Sequence, residues 1–168
     1  MPDFFDTQDR SKRLAFYLDE GTFTKTEIVS AKGSDVGYVS ASEIKRGDAV
    51  KLKPGTPRTV VKASDNEFIG VVLADPRGVP PTASGMPKRQ ATIVFIEPTE
   101  IYHLKLSDTN TAVSVGDYIV WNGTSFDKAS TVPEMGVIFK ALDEAPANSG
   151  KYIDVYCVSV SKQEYTTQ

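Results

Sequence analysis

Few side chains in this sequence could carry acid–base or nucleophilic chemistry. His103 is the only histidine and Cys157 is the only cysteine, so a two-histidine metal site and a zinc cluster of paired cysteines are excluded. His103 stands in "EIYHLKL" and reads as an ordinary strand residue. Cys157 stands in "YIDVYCVSV", where the apolar neighbours favour a buried and inert thiol. We expect both residues to contribute to stability alone.

The carboxylates show no catalytic spacing. Asp75, Asp143, Glu144 and Asp154 fall at predicted strand ends or in loops, where solvated carboxylates are common. Nothing brings two of them together for acid–base work, and the sequence has no glycine-rich phosphate loop or acidic metal loop. The sequence therefore predicts a protein that is not an enzyme, with no catalytic residue, no cofactor and no metal.

Two short motifs have simpler structural explanations. Asn122-Gly123-Thr124 fits a glycosylation acceptor, but Asn-Gly is also the strongest signal for a tight hairpin turn. Arg46-Gly47-Asp48 matches a cell-adhesion tripeptide, but a related segment later in the chain keeps only its Gly-Asp part, as a turn requires. Turn geometry is the favoured explanation of both motifs.

Composition narrows the possible partners. The 168 residues are 40% hydrophobic and 24% charged, enough for one domain or for two small ones that share a core. The net charge of -3 gives no basic surface for nucleic acid. The longest apolar runs, such as "FIGVVLA", are far below the roughly 20 residues of a membrane helix, and "RLAFYL" is short for a secretory signal. We expect neither nucleic-acid binding nor membrane insertion.

A repeated pattern predicts the elements that position these residues. "GDAVKL" begins at Gly47 and "GDYIVW" begins 69 residues later at Gly116. Each is followed by a polar turn, by an apolar run that contains a glycine ("FIGVVLA" and "EMGVIFKAL"), and by a second strand-like run. Alternation with period two indicates strands, and the internal glycines indicate bends or bulges. Matching the two apolar runs at their glycines makes Gly70 equivalent to Gly136.

The fold class is therefore predicted to be all-β. We expect two similar β units, at about residues 42–96 and 112–160, packed into one small β-barrel domain of the β-clip or β-tulip type that covers residues 41–168. Residues 1–40 lie outside the repeat and are predicted to form an extended arm or an added hairpin. Within them, "DTQDRSKRLAFYLDE" fits either two helical turns or extended structure hinged at Gly21.

The arm combines aromatic and basic side chains, a mixture typical of protein interfaces with buried anchors and a charged rim. We expect it to contact a neighbouring copy, another protein or its own domain. The candidate interface residues are Phe4, Phe5, Arg10, Lys12, Arg13, Phe16 and Tyr17. Because the repeat lies downstream, the sequence predicts that removal of residues 1–20 leaves the β domain folded.

The repeated unit resembles a known family. "SEIKRGDAVKLKPG", "VVKASDNEFIGVVLADPRG" and "ATIVFI" are similar, in that order, to the small β-barrels of tailed-bacteriophage capsid decoration (cement) proteins and related phage head proteins. The resemblance implies a non-enzymatic virion protein that is made in the host cytoplasm and binds the outer surface of an icosahedral capsid. It further implies the major capsid protein as partner, self-association into a homotrimer, and capsid stabilisation by bridging capsid subunits.

Two other classes of function stay open from the sequence. One is a carbohydrate- or surface-binding module of a phage tail or fibre, with Trp121, Tyr118 and Phe126 as candidate aromatic contacts. The other is an enzyme or an enzyme accessory domain, which the absence of a cluster of His, Cys and carboxylates disfavours. Glycan binding by the isolated protein would favour the first, and a deep pocket with converging polar groups would favour the second.

Overall fold

The computed structural model describes residues 13–161, and all the regular secondary structure in that range is β. The predicted all-β class is therefore confirmed. Twelve strands follow one another along the chain: β1 (Arg13–Leu18), β2 (Thr24–Ser30), β3 (Gly33–Val39), β4 (Ala49–Leu52), β5 (Thr59–Lys62), β6 (Gly70–Val72), β7 (Gln90–Phe95), β8 (Ile101–Lys105), β9 (Tyr118–Trp121), β10 (Phe126–Lys128), β11 (Gly136–Ala141) and β12 (Tyr152–Ser161).

The first unit is a closed five-stranded barrel. Its strands follow the order β1-β5-β4-β6-β7, and β1 closes the ring by pairing antiparallel with β7 and parallel with β5. Alternate residues point into the barrel, as the period of two in a strand requires. The buried interior consists of Phe16, Leu18, Ile44, Val50, Val60, Val72, Ala91 and Ile93.

The second unit repeats the strand order of the first. Its sheet runs β10-β9-β11-β12-β8, which corresponds strand for strand to β5-β4-β6-β7-β1. The two ends of this sheet approach each other at one parallel bridge between Leu106 and Phe126. It is therefore a half-barrel, held together over most of its length by packing of its interior. The predicted pair of similar β units is present, and each unit encloses its own core.

Equivalent turns and ion pairs confirm the duplication. The N–H of Gly47 donates to the carbonyl of Val72, and the N–H of Gly116 donates to the carbonyl of Ala141. Asp48 and Asp117 each accept a backbone N–H three residues earlier in the chain. The same two aspartates pair with lysines on β5 and β10, at N–O distances of 3.1 and 2.8 Å. The Gly-Asp pattern thus marks a turn that opens the same strand twice.

One predicted equivalence is wrong. Gly70 pairs with Val50 on β4, and the residue that pairs with Ile119, the counterpart of Val50, is Phe139. Gly70 therefore corresponds to Phe139, and Gly136 lies three residues before that position. In the second unit β11 also contains a register shift between Ile138 and Phe139, so its glycine precedes an irregularity that β6 lacks.

The prediction that residues 1–40 lie outside the repeated units also needs correction. Arg13–Leu18 is the strand that closes the first barrel, and the buried Phe16 and Leu18 belong to its core. Each repeated unit therefore begins earlier than residues 42 or 112, with β1 and β8 as equivalent first strands. β1 is extended, so the helical alternative is wrong over Arg13–Leu18. Only β2 and β3 stand outside the two units as an added hairpin.

The two units share a buried boundary. The indole Nε1 of Trp121 donates a hydrogen bond of 2.8 Å to the carbonyl of Ala63 in the first unit. The N–H of Val137 and the carbonyl of Met135 bond to Asn66 from the opposite side of the boundary. Ala49, Ala63, Phe68 and Ile96 of the first unit are continuous with the core of the second. The barrels are therefore packed directly on each other.

Among residues 13–161, no helix is long and apolar enough to cross a membrane.

Candidate interaction surface

The hairpin of β2 and β3 is the most exposed regular element of the described chain. It is inserted between β1 and β4 of the first barrel, and its two strands pair with each other from Thr24–Val39 to Ser30–Gly33. All but two of its fourteen strand residues are exposed. An isolated two-stranded hairpin is marginally stable in water, so a hairpin of this kind gains stability from a surface that covers it.

Apolar side chains occupy both faces of the hairpin. Directly opposed residues share a face, so the register places Val29, Val36 and Tyr38 on one face and Ile28 and Val39 on the other. Val29 is 79% exposed and Val36 is 51% exposed. Exposed apolar clusters of this kind are typical of interaction sites. The hairpin therefore offers two apolar surfaces, one on each side.

A buried ion pair anchors the base of the hairpin. Glu20, just before β2, is fully buried and accepts hydrogen bonds from Arg89 Nε at 2.9 Å and Nη2 at 2.5 Å. The same carboxylate accepts the N–H of Ile44, just after the hairpin, at 3.0 Å. The hydroxyl of Ser40 donates to the carbonyl of Glu20. The two ends of the insertion are therefore tied to one buried carboxylate.

Charge and an aromatic ring reinforce this anchor. The hydrogen bond from Arg89 to Glu20 raises the pKa of the guanidinium above its ordinary value. Burial acts in the opposite direction, but its effect on the pKa is smaller. The guanidinium also lies 5.0 Å from the ring centre of Phe23, a cation–π contact. Phe23 itself is buried, and its N–H donates to the carbonyl of Pro81. The hairpin thus projects from a rigid base.

The predicted interface residues have different surroundings. Phe4, Phe5, Arg10 and Lys12 lie outside the described residues. Phe16 is 7% exposed and packs edge-to-face on Phe95 inside the first barrel, so its predicted role as an interface anchor is corrected to a core residue. Arg13 and Tyr17 are exposed on β1, where neighbouring side chains alternate between core and solvent. Of the described residues in the predicted set, these two are available to a partner.

The aromatic residues considered for glycan binding are mostly core. Trp121 and Phe126 are 2% and 1% exposed and pack edge-to-face inside the second unit. Tyr118 is half-buried, and the ammonium of Lys140 lies 5.4 Å from its ring centre. The surface these rings were expected to form is therefore absent from the described structure. No observation favours sugar binding there.

Among the candidate chemical residues, the structure brings His103, Asp154 and Asp143 together and keeps Cys157 apart from them in the core. Exposed His103 lies in β8, where its Nδ1 is 2.8 Å from Asp154 Oδ1 and its ring stacks on Tyr152. Cys157 is buried on β12, and burial raises the pKa of its thiol. Asp143 accepts the N–H of Asp154 at a strand end. No group of three or more His, Cys, Asp or Glu suited to a metal ion occurs within residues 13–161.

A groove runs between the first barrel and β8. It encloses about 420 Å³, and every residue of Ile101–Lys105 lines one wall. The opposite wall is formed by residues of β6 and β7 and by the residue after β6, including Val71, Phe95 and Leu73. Charged side chains of both signs stand along it: Arg13, Arg46, Lys105, Glu97 and Glu100. The sequence analysis predicted an added hairpin within residues 1–40 as one alternative, but it predicted neither the two apolar faces of that hairpin nor this groove.

A sequence signal for the hairpin does exist. "TKTEIVS" and "GSDVGYV" are short β-rich runs separated by "AK", with a glycine at the turn. Their apolar residues fall on both faces instead of one, so the pattern does not identify a core side. The groove has no such signal, because its walls come from two different units.

Comparison with known proteins leaves the family open. No model of a known protein family matches the chain, and no curated protein matches it.

Proposed function

We propose that this protein is a non-enzymatic capsid decoration protein of a tailed bacteriophage. In this proposal it binds the outer surface of an icosahedral shell and stabilises the shell by bridging adjoining capsid subunits. Its partners are the major capsid protein and further copies of itself in a homotrimer, with no part for nucleic acid, membrane or cofactor. Support comes from the sequence resemblance over residues 42–160 and from the kind of surface that the chain exposes.

The hairpin of β2 and β3 is the observation that carries the proposal. Apolar side chains lie on both of its faces, and the most exposed of them are Val29, Ile28 and Val36. A two-faced element can contact two protein surfaces at once, which is the geometry that bridging requires. Burying one valine side chain contributes about 1.5–3 kcal/mol, so a few such contacts per copy hold a protein on a shell that offers many identical sites.

The barrels suit a structural role. Two cores packed on each other, with Trp121 hydrogen-bonded to Ala63 across the boundary, form a rigid body. A rigid body loses little conformational entropy when it binds, so the contact free energy is retained as affinity. The buried Glu20–Arg89 pair extends this rigidity to the base of the hairpin.

Binding to purified shells tests the proposal. Val29→Glu places a charge on the hairpin face that carries Val29, Val36 and Tyr38, whereas Val79→Glu places the same charge on a loop of the first barrel. The two valines are 79% and 75% exposed, so they form a matched pair. Shells of the phage that encodes the protein are mixed with each variant, and co-sedimentation and the temperature of shell disruption are measured.

We expect wild type and Val79→Glu to decorate and stabilise the shells alike. Val29→Glu should bind at least about tenfold more weakly, which corresponds to about 1.4 kcal/mol. Failure of the wild-type protein to bind shells would overturn the proposed function. Equal binding by Val29→Glu would show that the hairpin does not carry it.

A further inference from the structure

The two barrel units differ in a complementary way. The first unit carries two additional strands, β2 and β3, between its first and second strands. The second unit has no strand at the corresponding place, between β8 and β9. Its sheet also closes at one bridge, Leu106–Phe126, whereas the first is closed by the pairs Tyr17–Thr59 and Leu18–Val60. One unit therefore has surplus strands, and the other has an incompletely paired strand.

The incompletely paired strand is β8. In the described chain it is hydrogen-bonded to β12 on one side and stands at the end of its sheet. The N–H of Leu106 donates to Lys151 and the N–H of Cys157 donates to Glu100. In an antiparallel pair, every second residue directs its N–H and C=O to the partner strand. Glu100 and Leu106 do so, and therefore Tyr102 and Leu104 also direct their backbone groups toward β12.

The backbone groups of Ile101, His103 and Lys105 point to the other side of β8. There the bridge from Leu106 to Phe126 and the hydrogen bond from the N–H of Ser107 to the carbonyl of Phe126 occupy the C-terminal end of the edge. The edge before that bridge, at Ile101 and His103, is open to a further strand.

The groove follows this edge. All five residues of β8 line it, as expected when a groove runs along a strand instead of over one face. Its two walls are both partly apolar. An element seated there would bury two faces, and the hairpin has apolar side chains on two faces. The hairpin of the same molecule contributes no residue to the lining of the groove.

Charges on the two surfaces are complementary. Lys25 and Glu27 lie two residues apart on one face of β2. Along the groove, Glu97 and Glu100 precede β8 and Lys105 ends it. In a strand laid parallel to β8, Lys25 is the nearer of the two to the glutamates and Glu27 is the nearer to Lys105, which also pairs with Asp108. The parallel direction is also the one in which β5 pairs with β1, the counterpart of β8 in the first unit.

We infer that the hairpin of one copy docks in the groove of a second copy, with β2 added to the open edge of β8. The contact joins two different surfaces of the same chain, so each copy donates one hairpin and accepts another. Such heterologous contacts close into a ring when the rotation between copies allows it. The inference rests on the proposed function, because a ring of copies is the form that would bridge capsid subunits.

Two variants separate the donor from the acceptor. Val36→Asp puts a charge on an apolar face of the hairpin. His103→Pro removes one outward N–H of β8, and proline is tolerated at the edge of a sheet. His103→Ala is the matched control, because it removes the same side chain and keeps the N–H. Circular dichroism and thermal unfolding establish that each variant is folded, and purified protein without shells is used throughout.

Molar mass is measured by light scattering and sedimentation over a range of concentrations. Wild type and His103→Ala should form oligomers with the same dissociation constant. Val36→Asp and His103→Pro should each associate at least about tenfold more weakly. Because each of the two defective variants keeps the surface that the other lacks, their mixture should form a one-to-one complex. In the oligomer, amide exchange of Ile101, His103 and Lys105 should be slower than in the monomer.

Three results would overturn the inference. A wild-type protein that stays monomeric at about 100 μM would exclude it, as would full association of His103→Pro. A mixture of the two defective variants that forms no complex would show that the hairpin of one copy does not dock on β8 of another. The association measurements use no shells, so they can fail independently of shell binding. A protein that is monomeric in them and still decorates shells would refute this contact and the homotrimer, and would leave capsid decoration as the proposed function.

Discussion

Removing the buried carboxylate at the base of the hairpin should destabilise the protein strongly. In Glu20→Ala the guanidinium of Arg89, whose side chain is 11% exposed, loses the partner that accepts two of its hydrogen bonds. The N–H of Ile44 loses its acceptor as well. Both groups stay in surroundings that admit little water. The guanidinium keeps only the ring of Phe23 and the carbonyl of Ile44, at 3.4 Å, as partners, and the N–H of Ile44 loses the Glu20 carboxylate.

The size of the effect follows from these two losses. Removing one partner of a buried ion pair costs about 3–5 kcal/mol, because the other charge remains desolvated. An unsatisfied backbone N–H accounts for about 1–3 kcal/mol within that total. Glu20→Ala should therefore lower the free energy of unfolding by about 3–5 kcal/mol. Combining it with Arg89→Ala should cost less than the two single changes together, because the stranded charge is then absent.

Urea unfolding measures these differences. Trp121 fluorescence reports on the second unit, and far-UV circular dichroism reports on both, so coincident transitions establish that the protein unfolds as one body. Lys53→Ala is the control, since it breaks the ion pair of Lys53 with Asp19, whose side chains are 38% and 24% exposed. Such a pair contributes at most about 1 kcal/mol. A Glu20→Ala variant no less stable than Lys53→Ala would refute the reasoning.

Three further outcomes are expected. Removing residues 1–12 should leave a folded protein by circular dichroism, whereas removing residues 1–20 should abolish cooperative unfolding, because the second truncation deletes β1 from the first barrel. Gly123→Ala should lower the free energy of unfolding in urea by more than about 1–3 kcal/mol, which is the usual cost of positive φ alone, because the new Cβ would also lie 2.5 Å from a carbonyl oxygen. Gly55→Ala is the control: this glycine also has positive φ but stands in open space, so the change should cost only the backbone strain. A hydrogen bond from a lysine lowers the pKa of Asp117 below its ordinary 3.8, so its contribution to stability is present above that pH and is lost as the pH falls through the lower folded value. Unfolding measured between pH 7 and pH 2 should therefore show a smaller loss at low pH for Asp117→Asn than for wild type, and equal losses would contradict this.

Local patterns in the sequence account for most of the β units. The Gly-Asp turns at Gly47 and Gly116 open equivalent strands because each aspartate accepts a backbone N–H within its own turn. Alternation in "YIVW" predicts the buried Ile119 and Trp121. These features depend on contacts between residues close in the chain, which is why they could be predicted from the sequence.

Contacts between distant residues were predicted less well. Phe16 resembles an exposed interface aromatic until β1 pairs with β7, more than 70 residues later in the chain. Matching glycines placed Gly70 opposite Gly136, because the sequence does not show the register shift within β11. The exposure of β2 and β3 was not predicted either. Apolar residues on both faces of a strand are equally consistent with a buried strand and with an exposed one.

The sequence by itself determined the β class, the duplication and the turn chemistry, because strand period and turn preference depend on neighbouring residues. Only the tertiary structure decided that β1 closes the first barrel, that the second sheet stays open at β8, and that an added hairpin projects from a buried ion pair. The physical reason is that the closing of a barrel and the exposure of a strand depend on which of several distant strands pairs with a given edge. Packing of the whole unit selects that strand, so the pairing cannot be predicted from any single segment of the chain.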